Sequence, residues 1–354
     1  MIDRRGVLAA ALFLAACGSS PEDPLRADIR TELHGFSLAD GSLAAVDGAL
    51  YLSNEEGVQV FSPGGEGLRQ ILDERYRACP WTNPWKLGPS ERDKVKITYG
   101  AGSAYLYQPL CGLWSVSLQD PSKVTPIVRI TGAVDVNAAW GDGTPARVSP
   151  TFNIAAVPDG DGLLVCLMSG DDGGDGVQLW SVSRDGKPGE MVGKVGGVDC
   201  TEVLRDDSGA FLSVFVGGVY RWDRGSRAVT RIATPGSSGA EFLQATAAHL
   251  FYLEGDQIMR VGRDGKALTR IERDPADRDI LTRFIVDEHN VYVATQSKIV
   301  RIPQGGGPAE TMLVAAPESF VATENGFVKA GEDLWFVLRQ AQGEQKRHLA
   351  RVPK

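Results

Sequence analysis

A sequence pattern that occurs seven times between residues 49 and 354 constrains the fold of this chain more than any other feature. Each copy but the last has an apolar segment, a short loop, a second apolar segment, a turn rich in Gly, Pro or Asp, and a third apolar segment. The first segments, here called the central strands, begin at Ala49, Ala104, Leu163, Ala210, Leu250, Val291 and Leu334. The intervals between these starts are 55, 59, 47, 40, 41 and 43 residues. Such a period predicts a repeat architecture with one supersecondary unit per copy.

The units predict a particular all-β fold. One more short apolar run precedes each central strand, as in residues 283–290 and 326–333, which gives four strands per unit. Four strands in about 40 residues are typical of one blade of a β-propeller. The strands are almost continuously apolar, as expected when neighbouring blades cover both faces of each sheet. We therefore expect an all-β, seven-bladed β-propeller over residues 28–354.

The last copy is shorter than the others. Its final segment, "RHLARVPK" (347–354), has no fourth strand after it, whereas "SKIVRIPQGGGPAETML" (297–313) continues through a turn into one. An unassigned strand-length segment, Asp28 to Leu33, precedes the first unit. We expect it to be the outer strand of the seventh blade, which would close the ring and cover a sheet edge. The alternative is an N-terminal arm loose in solvent.

The first residues are predicted to be an export signal and a lipid anchor. Arg4 and Arg5 precede an apolar run that is too short to span a bilayer, so residues 1–16 are typical of a signal peptide. "LAAC" (14–17) resembles the bacterial lipobox, which implies cleavage before Cys17 and its acylation, including by palmitate. By the same pattern, Gly18 implies the outer membrane, with the protein facing the periplasm or the cell surface. The alternative is a chance cysteine after an ordinary signal. General secretory and twin-arginine export both stay open. Polar residues 17–27 predict the lipidated end and a flexible tether.

Charge limits the class of partner. The formal net charge is −8, with no block of Lys or Arg, which argues against nucleic acid and against an anionic membrane surface. Membrane contact is therefore expected through the lipid anchor only, and the chain is expected to be a monomer.

Three extensions break the regularity of the units, and we expect them to share one face. They are residues 73–93, 131–151 and 169–176. In an antiparallel four-stranded blade, blade-to-blade loops and second-to-third-strand loops emerge on the same side. Long loops grouped on a rigid scaffold are the usual place for function. The expected binding residues on these loops are Trp81, Trp85, Trp140, Asp142, Asp171, Asp172 and Asp175. Exposed tryptophans mixed with carboxylates suit the recognition of a protein or a glycan. The alternative is that the tryptophans pack inside their own loops.

Four cysteines remain after Cys17, an even number that predicts two disulfides in an exported protein. Sequence alone allows three pairings, and the blade arrangement selects among them. It places Cys79 and Cys111 on one face, and Cys166 and Cys200 in adjacent blades. We therefore expect Cys79–Cys111 and Cys166–Cys200. A zinc site is disfavoured because no Cys-x-x-Cys pair is present.

The sequence carries no motif for a reaction. Its four histidines are scattered, and it has no Gly-x-Ser-x-Gly, His-Glu-x-x-His or phosphate-binding loop. "GDDGGDG" (170–176) could wrap Ca²⁺, but it lacks the spacing and terminal Glu of an EF-hand, and Asp-Gly clusters also form ordinary loops. No catalytic residue, metal or other cofactor is predicted.

The units "VYVATQSKIVRIPQGGGP" (291–308) and "LFYLEGDQIMRVGRDGKAL" (250–268) resemble the repeats of secreted bacterial β-propeller lipoproteins. The resemblance covers most of residues 40–354 and implies a fold and an envelope location, but no catalytic residues. Quinoprotein propellers carry similar repeats, and "LWSVS" (113–117 and 179–183) is faintly similar to theirs. Their regular tryptophan-docking motif is absent.

We therefore expect a lipid-anchored envelope scaffold that binds a protein or glycan through the loops over blades two and three. The alternative is a propeller enzyme of the lactonase, hydrolase or sugar dehydrogenase type. An enzyme should gather charged groups around a deep pocket at the central channel, whereas a scaffold should show an exposed aromatic patch.

Overall fold

The chain folds into seven antiparallel sheets that follow one another along the sequence, which confirms the predicted all-β, seven-bladed propeller. The computed structural model describes residues 28–33, 42–54, 57–62, 68–81, 95–131, 138–146, 154–168, 176–236, 239–272, 281–316, 319–321, 326–340 and 347–354. Within these ranges the one helical segment is a short 3₁₀ turn, Glu74–Arg77. No helix in the described part of the chain has the length and apolar character needed to cross a membrane.

The first strand in the chain, β1 (Asp28–Leu33), belongs to the last blade. Blade one contains β2 (Ser42–Val46), β3 (Ala49–Asn54), β4 (Gly57–Phe61) and β5 (Leu68–Asp73). Blade two contains β6 (Lys96–Gly100), β7 (Ser103–Gln108), β8 (Gly112–Ser117), β9 (Val124–Ile130), β10 (Ala138–Trp140) and β11 (Pro145–Ala146). Blade three contains β12 (Ala155–Asp159), β13 (Gly162–Met168), β14 (Val177–Ser183) and β15 (Pro188–Val195).

Blade four contains β16 (Cys200–Asp206), β17 (Gly209–Val214), β18 (Gly218–Asp223) and β19 (Val229–Ala233). Blade five contains β20 (Glu241–Ala245), β21 (His249–Glu254), β22 (Gln257–Gly262) and β23 (Thr269–Ile271). Blade six contains β24 (Leu281–Val286), β25 (Asn290–Thr295), β26 (Lys298–Pro303) and β27 (Glu310–Val314). Blade seven contains β28 (Ser319–Val321), β29 (Phe327–Ala330), β30 (Asp333–Gln340) and β31 (Arg347–Pro353), together with β1.

The innermost strands of the blades form the inner wall of the ring. In order they are β2, β6, β12, β16, β20, β24 and β29, and each contacts the next. The last of them, β29, contacts β2 of blade one, so the ring closes on itself. The central strands found from the sequence are β3, β7, β13, β17, β21, β25 and β30. They hold most of the largest fully buried side chains because they lie between an inner and an outer strand and between two neighbouring blades.

At the seam, strand β1 pairs antiparallel with β31 on the outer side of blade seven. The register runs from Leu33 opposite Arg347 to Asp28 opposite Arg351, with an irregularity between Ile29 and Thr31. This is the strand pairing expected from the sequence. Blades seven and one also meet through side chains, since the ring centroids of Phe61 and Trp335 lie 5.5 Å apart.

The two faces of the ring differ in what they carry. We call the face with the blade-to-blade connections and the second-to-third-strand turns the loop face, and the opposite face, with the remaining hairpin turns, the turn face. Ion pairs tie neighbouring blades together at the turn face. Asp159 of blade three accepts a hydrogen bond from Arg224 and forms an ion pair with Arg205 at 2.9 Å, both in blade four. Asp206 of blade four pairs with Arg263 of blade five at 2.8 Å.

Blade two departs from the expected four strands. Part of the segment 131–151, predicted as one long loop, forms the hairpin of β10 and β11, which extends blade two to six strands. Strand β10 pairs with β9, so the hairpin covers what would otherwise be an exposed sheet edge. The long-loop interpretation is therefore wrong for residues 138–146.

Candidate functional site

Both predicted disulfides are present. Cys79 is bonded to Cys111, and Cys166 is bonded to Cys200. The first fixes the beginning of the connection after blade one to the second-to-third-strand turn of blade two. The second joins β13 of blade three to β16 of blade four, and both of its sulfurs belong to fully buried residues. Two such bonds are typical of a protein that folds in an oxidising compartment, outside the cytoplasm.

The structure describes two of the three candidate tryptophans, and both pack inward. Trp140 is only 3% exposed and lies against Trp180 of blade three, with ring centroids 5.3 Å apart. Trp81 is partly buried, and its ring lies edge-on to that of the buried Trp114, with ring centroids 5.8 Å apart. The prediction of an exposed aromatic surface is therefore wrong for Trp140, because strand β10 inserts this side chain between blades two and three. The packed-loop alternative is right that Trp140 is buried, but the core around it is shared by blades two and three rather than formed within its own loop.

Asp142 lies on the other side of the molecule from the expected binding loops. The tip of the β10–β11 hairpin points back toward the turn face, where the Gly141 N–H donates to Gly186 O of blade three at 2.9 Å. The Asp142 carboxylate accepts the Thr144 N–H at 2.9 Å, and this bond is the main reason why its pKa lies below the ordinary value. The hairpin reversal explains the error, since a simple loop would have left Asp142 on the loop face.

Five other predicted residues are Cys17, Trp85, Asp171, Asp172 and Asp175, and they lie outside the described residues. The Ca²⁺ alternative falls on residues 170–176, most of which also lie outside them. Within the described ranges, no three His, Cys, Asp or Glu side chains come together as metal ligands would.

Three inner strands are irregular at the same level, next to the loop face. The register shifts between Cys200 and Glu202 in β16, between Glu241 and Gln244 in β20, and between Leu281 and Arg283 in β24. A bulge inserts an extra residue into one strand and changes the direction of the neighbouring side chains, and bulges are frequent beside functional sites. Blades four, five and six therefore share a local distortion at the loop-face end of the channel, here called the channel mouth.

Charged side chains from four blades meet at the channel mouth. Lys96 of blade two lies in the field of Asp199, Glu202 and Glu241, which belong to blades four and five. Since these blades are not neighbours of blade two, the interaction crosses the channel. The Arg283 guanidinium of blade six lies in the field of Glu202, and its central carbon is 4.7 Å from the centroid of the Phe242 ring.

Burial changes the pKa of the groups at the channel mouth. Desolvation raises the pKa of Glu202, against the opposing effects of the Leu243 N–H, which donates to its Oε2 at 2.9 Å, and of Arg283 and Lys96. Desolvation also lowers the pKa of Lys96, although its side chain keeps access to the channel solvent. The described residues give the buried Nε–H of Arg283 no hydrogen-bond acceptor. These groups are therefore partly desolvated.

A cavity of about 240 Å³ opens beside these charges, between blades two, three and four. Its polar walls come from side chains with hydroxyl, ammonium and carboxylate groups. They are Lys96, Thr98, Tyr105, Tyr107, Thr201 and Glu202. Apolar side chains such as Leu113, Ile154 and Val203 complete the lining. A concave site with a few convergent polar groups and perturbed pKa values is a candidate ligand site.

An exposed apolar tip stands on the loop face of blade four. It consists of Phe215 and Val216 in the turn between β17 and β18, and their exposed fractions are 42% and 76%. The Gly217 N–H donates to Val214 O at 3.0 Å, so Val216 occupies the third position of a β-turn with φ of 59°. A positive φ at this position favours Gly or Asn, and for a β-branched residue it is strained. Strain of this kind is concentrated at functional sites.

The turn beneath the tip is firmly supported. Gly197 and Gly217 approach so closely that a Cβ on Gly197 would lie 2.8 Å from the Gly217 Cα. The Tyr220 hydroxyl donates to Gly217 O at 2.9 Å, and Arg231 Nη2 donates to the Tyr220 oxygen at 2.9 Å. The backbone of Phe215 also pairs with Val198 and Asp199. The apolar tip is therefore a fixed feature of the loop face beside the channel mouth.

Sequence analysis missed the channel-mouth residues, although the repeat contained a signal for them. Lys96, Glu202, Phe242 and Arg283 each stand eight residues before the start of a central strand, at Ala104, Ala210, Leu250 and Val291. A charged or aromatic residue at one equivalent position of several apolar inner strands could have indicated a ring of functional side chains around the channel axis. The bulges that direct these side chains leave no trace in residue type.

The class of protein is a seven-bladed β-propeller. No protein-family model and no curated protein matches the chain. YCF48 from Cyanidioschyzon merolae has a TM-score of 0.56 at 11% identity, over 91% of this chain and 98% of that chain. The Neurospora crassa Pan2 WD40 domain has a TM-score of 0.54 at 8% identity, over 89% of this chain and 90% of that chain. An extracellular domain from B. thetaiotaomicron has a TM-score of 0.58 at 12% identity, over 92% of this chain and 43% of that chain. At these identities the similarity shows the fold alone.

Proposed function

We propose that this chain is an exported binding scaffold that captures an envelope protein or glycan on its loop face, across blades two to four. The observation that carries the proposal is the rigid apolar tip of Phe215 and Val216, which is strained and exposed although other residue types would suit its turn better. Retained strain at an exposed site is expected where the side chain itself has a role. Trp85, Asp171, Asp172 and Asp175 stay in the proposal as predicted contacts of the same partner.

Export and anchoring are part of the same proposal. Acylation of Cys17 would hold the propeller at the outer membrane through a tether, facing the periplasm or the cell surface, and the two disulfides support a location outside the cytoplasm. Replacing Cys17 by Ser should abolish palmitate labelling and move the protein from the membrane fraction to the soluble fraction. Labelling and membrane association that persist in this variant would contradict the anchor.

Amine-reactive crosslinking on native envelopes tests the binding face. Lys194 is exposed near the loop-face end of β15, whereas Lys123, Lys187 and Lys266 are exposed on the turn face and serve as internal controls. We expect crosslinks to one recurrent partner, identified by mass spectrometry, from Lys194 and not from the turn-face lysines. Crosslinks that come mainly from the turn face would contradict the proposal.

A second candidate function is catalysis at the channel, as in propeller lactonases, hydrolases and sugar dehydrogenases. The charged groups at the channel mouth favour it, because burial raises the pKa of Glu202 and lowers that of Lys96, the directions that suit an acid and a base near neutral pH. Product analysis by NMR after incubation with lactones and glycosides separates the two functions. A scaffold leaves every compound unchanged, whereas an enzyme gives a product that disappears in Glu202→Gln.

A further inference from the structure

The cavity at the channel mouth has its own chemistry, distinct from that of the apolar tip. Its volume of about 240 Å³ is below the ~300–1,000 Å³ of sites for drug-sized ligands and corresponds to roughly eight water volumes of ~30 Å³. The space therefore suits one small ring or one side chain. Lys96, Thr98, Thr201 and Glu202 line it, and the Thr201 hydroxyl already donates to Ser213 O at 3.2 Å.

The charges around the cavity nearly balance, with two cations against three carboxylates. Lys96 lies in the field of three carboxylates, from Asp199, Glu202 and Glu241, and Glu202 lies between Lys96 and Arg283. A ligand with a full charge would leave one of these groups facing a like charge or without its partner, which is costly at a partly desolvated site. A neutral ligand avoids this cost.

Hydroxyl groups satisfy both signs of charge at the same time. A hydroxyl donates to a carboxylate through its hydrogen and accepts from an ammonium through its oxygen, so a diol can bridge Glu202 and Lys96 without adding net charge. The Leu243 N–H already donates to Glu202 Oε2 at 2.9 Å and so holds the carboxylate in place. The apolar wall of Leu113, Ile154 and Val203 suits the C–H face of a sugar ring.

We propose that the channel-mouth cavity binds one neutral sugar residue, with its hydroxyl groups held between the Lys96 ammonium and the Glu202 carboxylate. This inference rests on the proposed binding function and names the ligand class for part of the same face. The residue comes either from a free monosaccharide or from the end of a glycan, since both present the same neutral ring.

Saturation-transfer NMR and calorimetry with methyl glycosides test the inference on the full propeller, residues 28–354. The probes are neutral hexoses, 6-deoxyhexoses, pentoses and N-acetylhexosamines, with glucuronate and glucosamine as charged counterparts of similar size. We expect at least one neutral glycoside to bind, and the charged counterparts to bind at least tenfold more weakly. Longer oligosaccharides with the same terminal residue separate the two sources, since a glycan receptor should bind them more tightly than the glycoside.

Matched variants connect the binding to the cavity. Glu202→Gln retains an oxygen for the Leu243 N–H, and Lys96→Met retains the length of the side chain, so neither should lower the melting temperature. Each should weaken binding of the neutral glycoside at least tenfold, whereas Lys123→Met on the turn face should leave it unchanged. The inference is overturned if no neutral glycoside binds, or if binding is the same in both cavity variants. Crosslinks from Lys194 would still appear in either case if the proposed function holds, so the two failures can be told apart.

Discussion

Trp140 of blade two packs against Trp180 of blade three, with their ring centroids 5.3 Å apart and their planes inclined by 53°. Trp140 belongs to a core cluster that both blades share, so it links them rather than presenting a surface to a partner. Hairpin β10–β11 therefore has a structural role, although it occupies a segment that sequence analysis assigned to binding.

Replacing Trp140 by Ala should destabilise the propeller by about 3–5 kcal/mol, because it removes a large buried aromatic side chain and leaves a cavity. Trp140→Phe should cost less, since much of the apolar contact is retained. Urea denaturation of the two variants measures the difference. Unchanged stability together with lost partner binding would instead show that Trp140 contacts the partner directly.

Replacing Val216 by Gly should raise the stability of the propeller while weakening partner capture. The left-handed conformation costs a residue with a Cβ about 1–2 kcal/mol, and the greater unfolded-state freedom of Gly offsets part of this gain. We expect a net gain of about 1 kcal/mol. Val124→Gly is the matched control, since Val124 is 40% exposed in a regular strand, where Gly should cost roughly 0.5–1 kcal/mol. Thermal melting of both variants checks that their changes in stability have opposite signs. A loss of stability in Val216→Gly would contradict the strain at this turn.

The stability of the propeller should depend on pH through Glu202. Burial raises the pKa of Glu202 in the folded state above its ordinary value of 4.5. The folded protein therefore binds this proton more tightly than the unfolded chain does. The resulting stabilisation is complete below about pH 4.5 and is lost as pH rises through the raised pKa.

Glu202→Gln removes this titration. Relative to the variant, the wild type should therefore lose unfolding free energy as pH rises from about 4 to 7. Urea denaturation across this range measures the difference. Parallel pH profiles would show that the Glu202 carboxylate is not desolvated in the folded state.

Deleting residues 18–33 should destabilise the ring, whereas deleting residues 18–27, which leaves β1 intact, should not. The longer deletion removes the strand that pairs with β31. Each net backbone hydrogen bond contributes about 1 kcal/mol, so we expect a loss of a few kcal/mol and a greater tendency to aggregate through the uncovered edge. Equal melting temperatures for the two deletions would show that the seam pairing contributes nothing to stability.

The repeat made most of the fold predictable, because blade sheets depend on local patterns of apolar strands and turns. All seven central strands, and the two disulfides that follow from the blade arrangement, were found in this way. The position of Asp142 was not predictable in this way. Hairpin β10–β11 depends on pairing with β9 and on the space that Trp140 fills beside Trp180, and the local residue pattern predicts neither. Glu202 and Arg283 were missed for a similar reason, because register shifts in the inner strands bring them to the channel mouth.

A photo-crosslinking amino acid placed at position 216, and in a second variant at position 268, tests the binding face most directly. Leu268 is 50% exposed on the turn face and so matches the exposed apolar character of Val216 on the loop face. Irradiation of native envelopes should give a discrete adduct from position 216 and none from position 268. An equal or stronger adduct from position 268 would contradict the account.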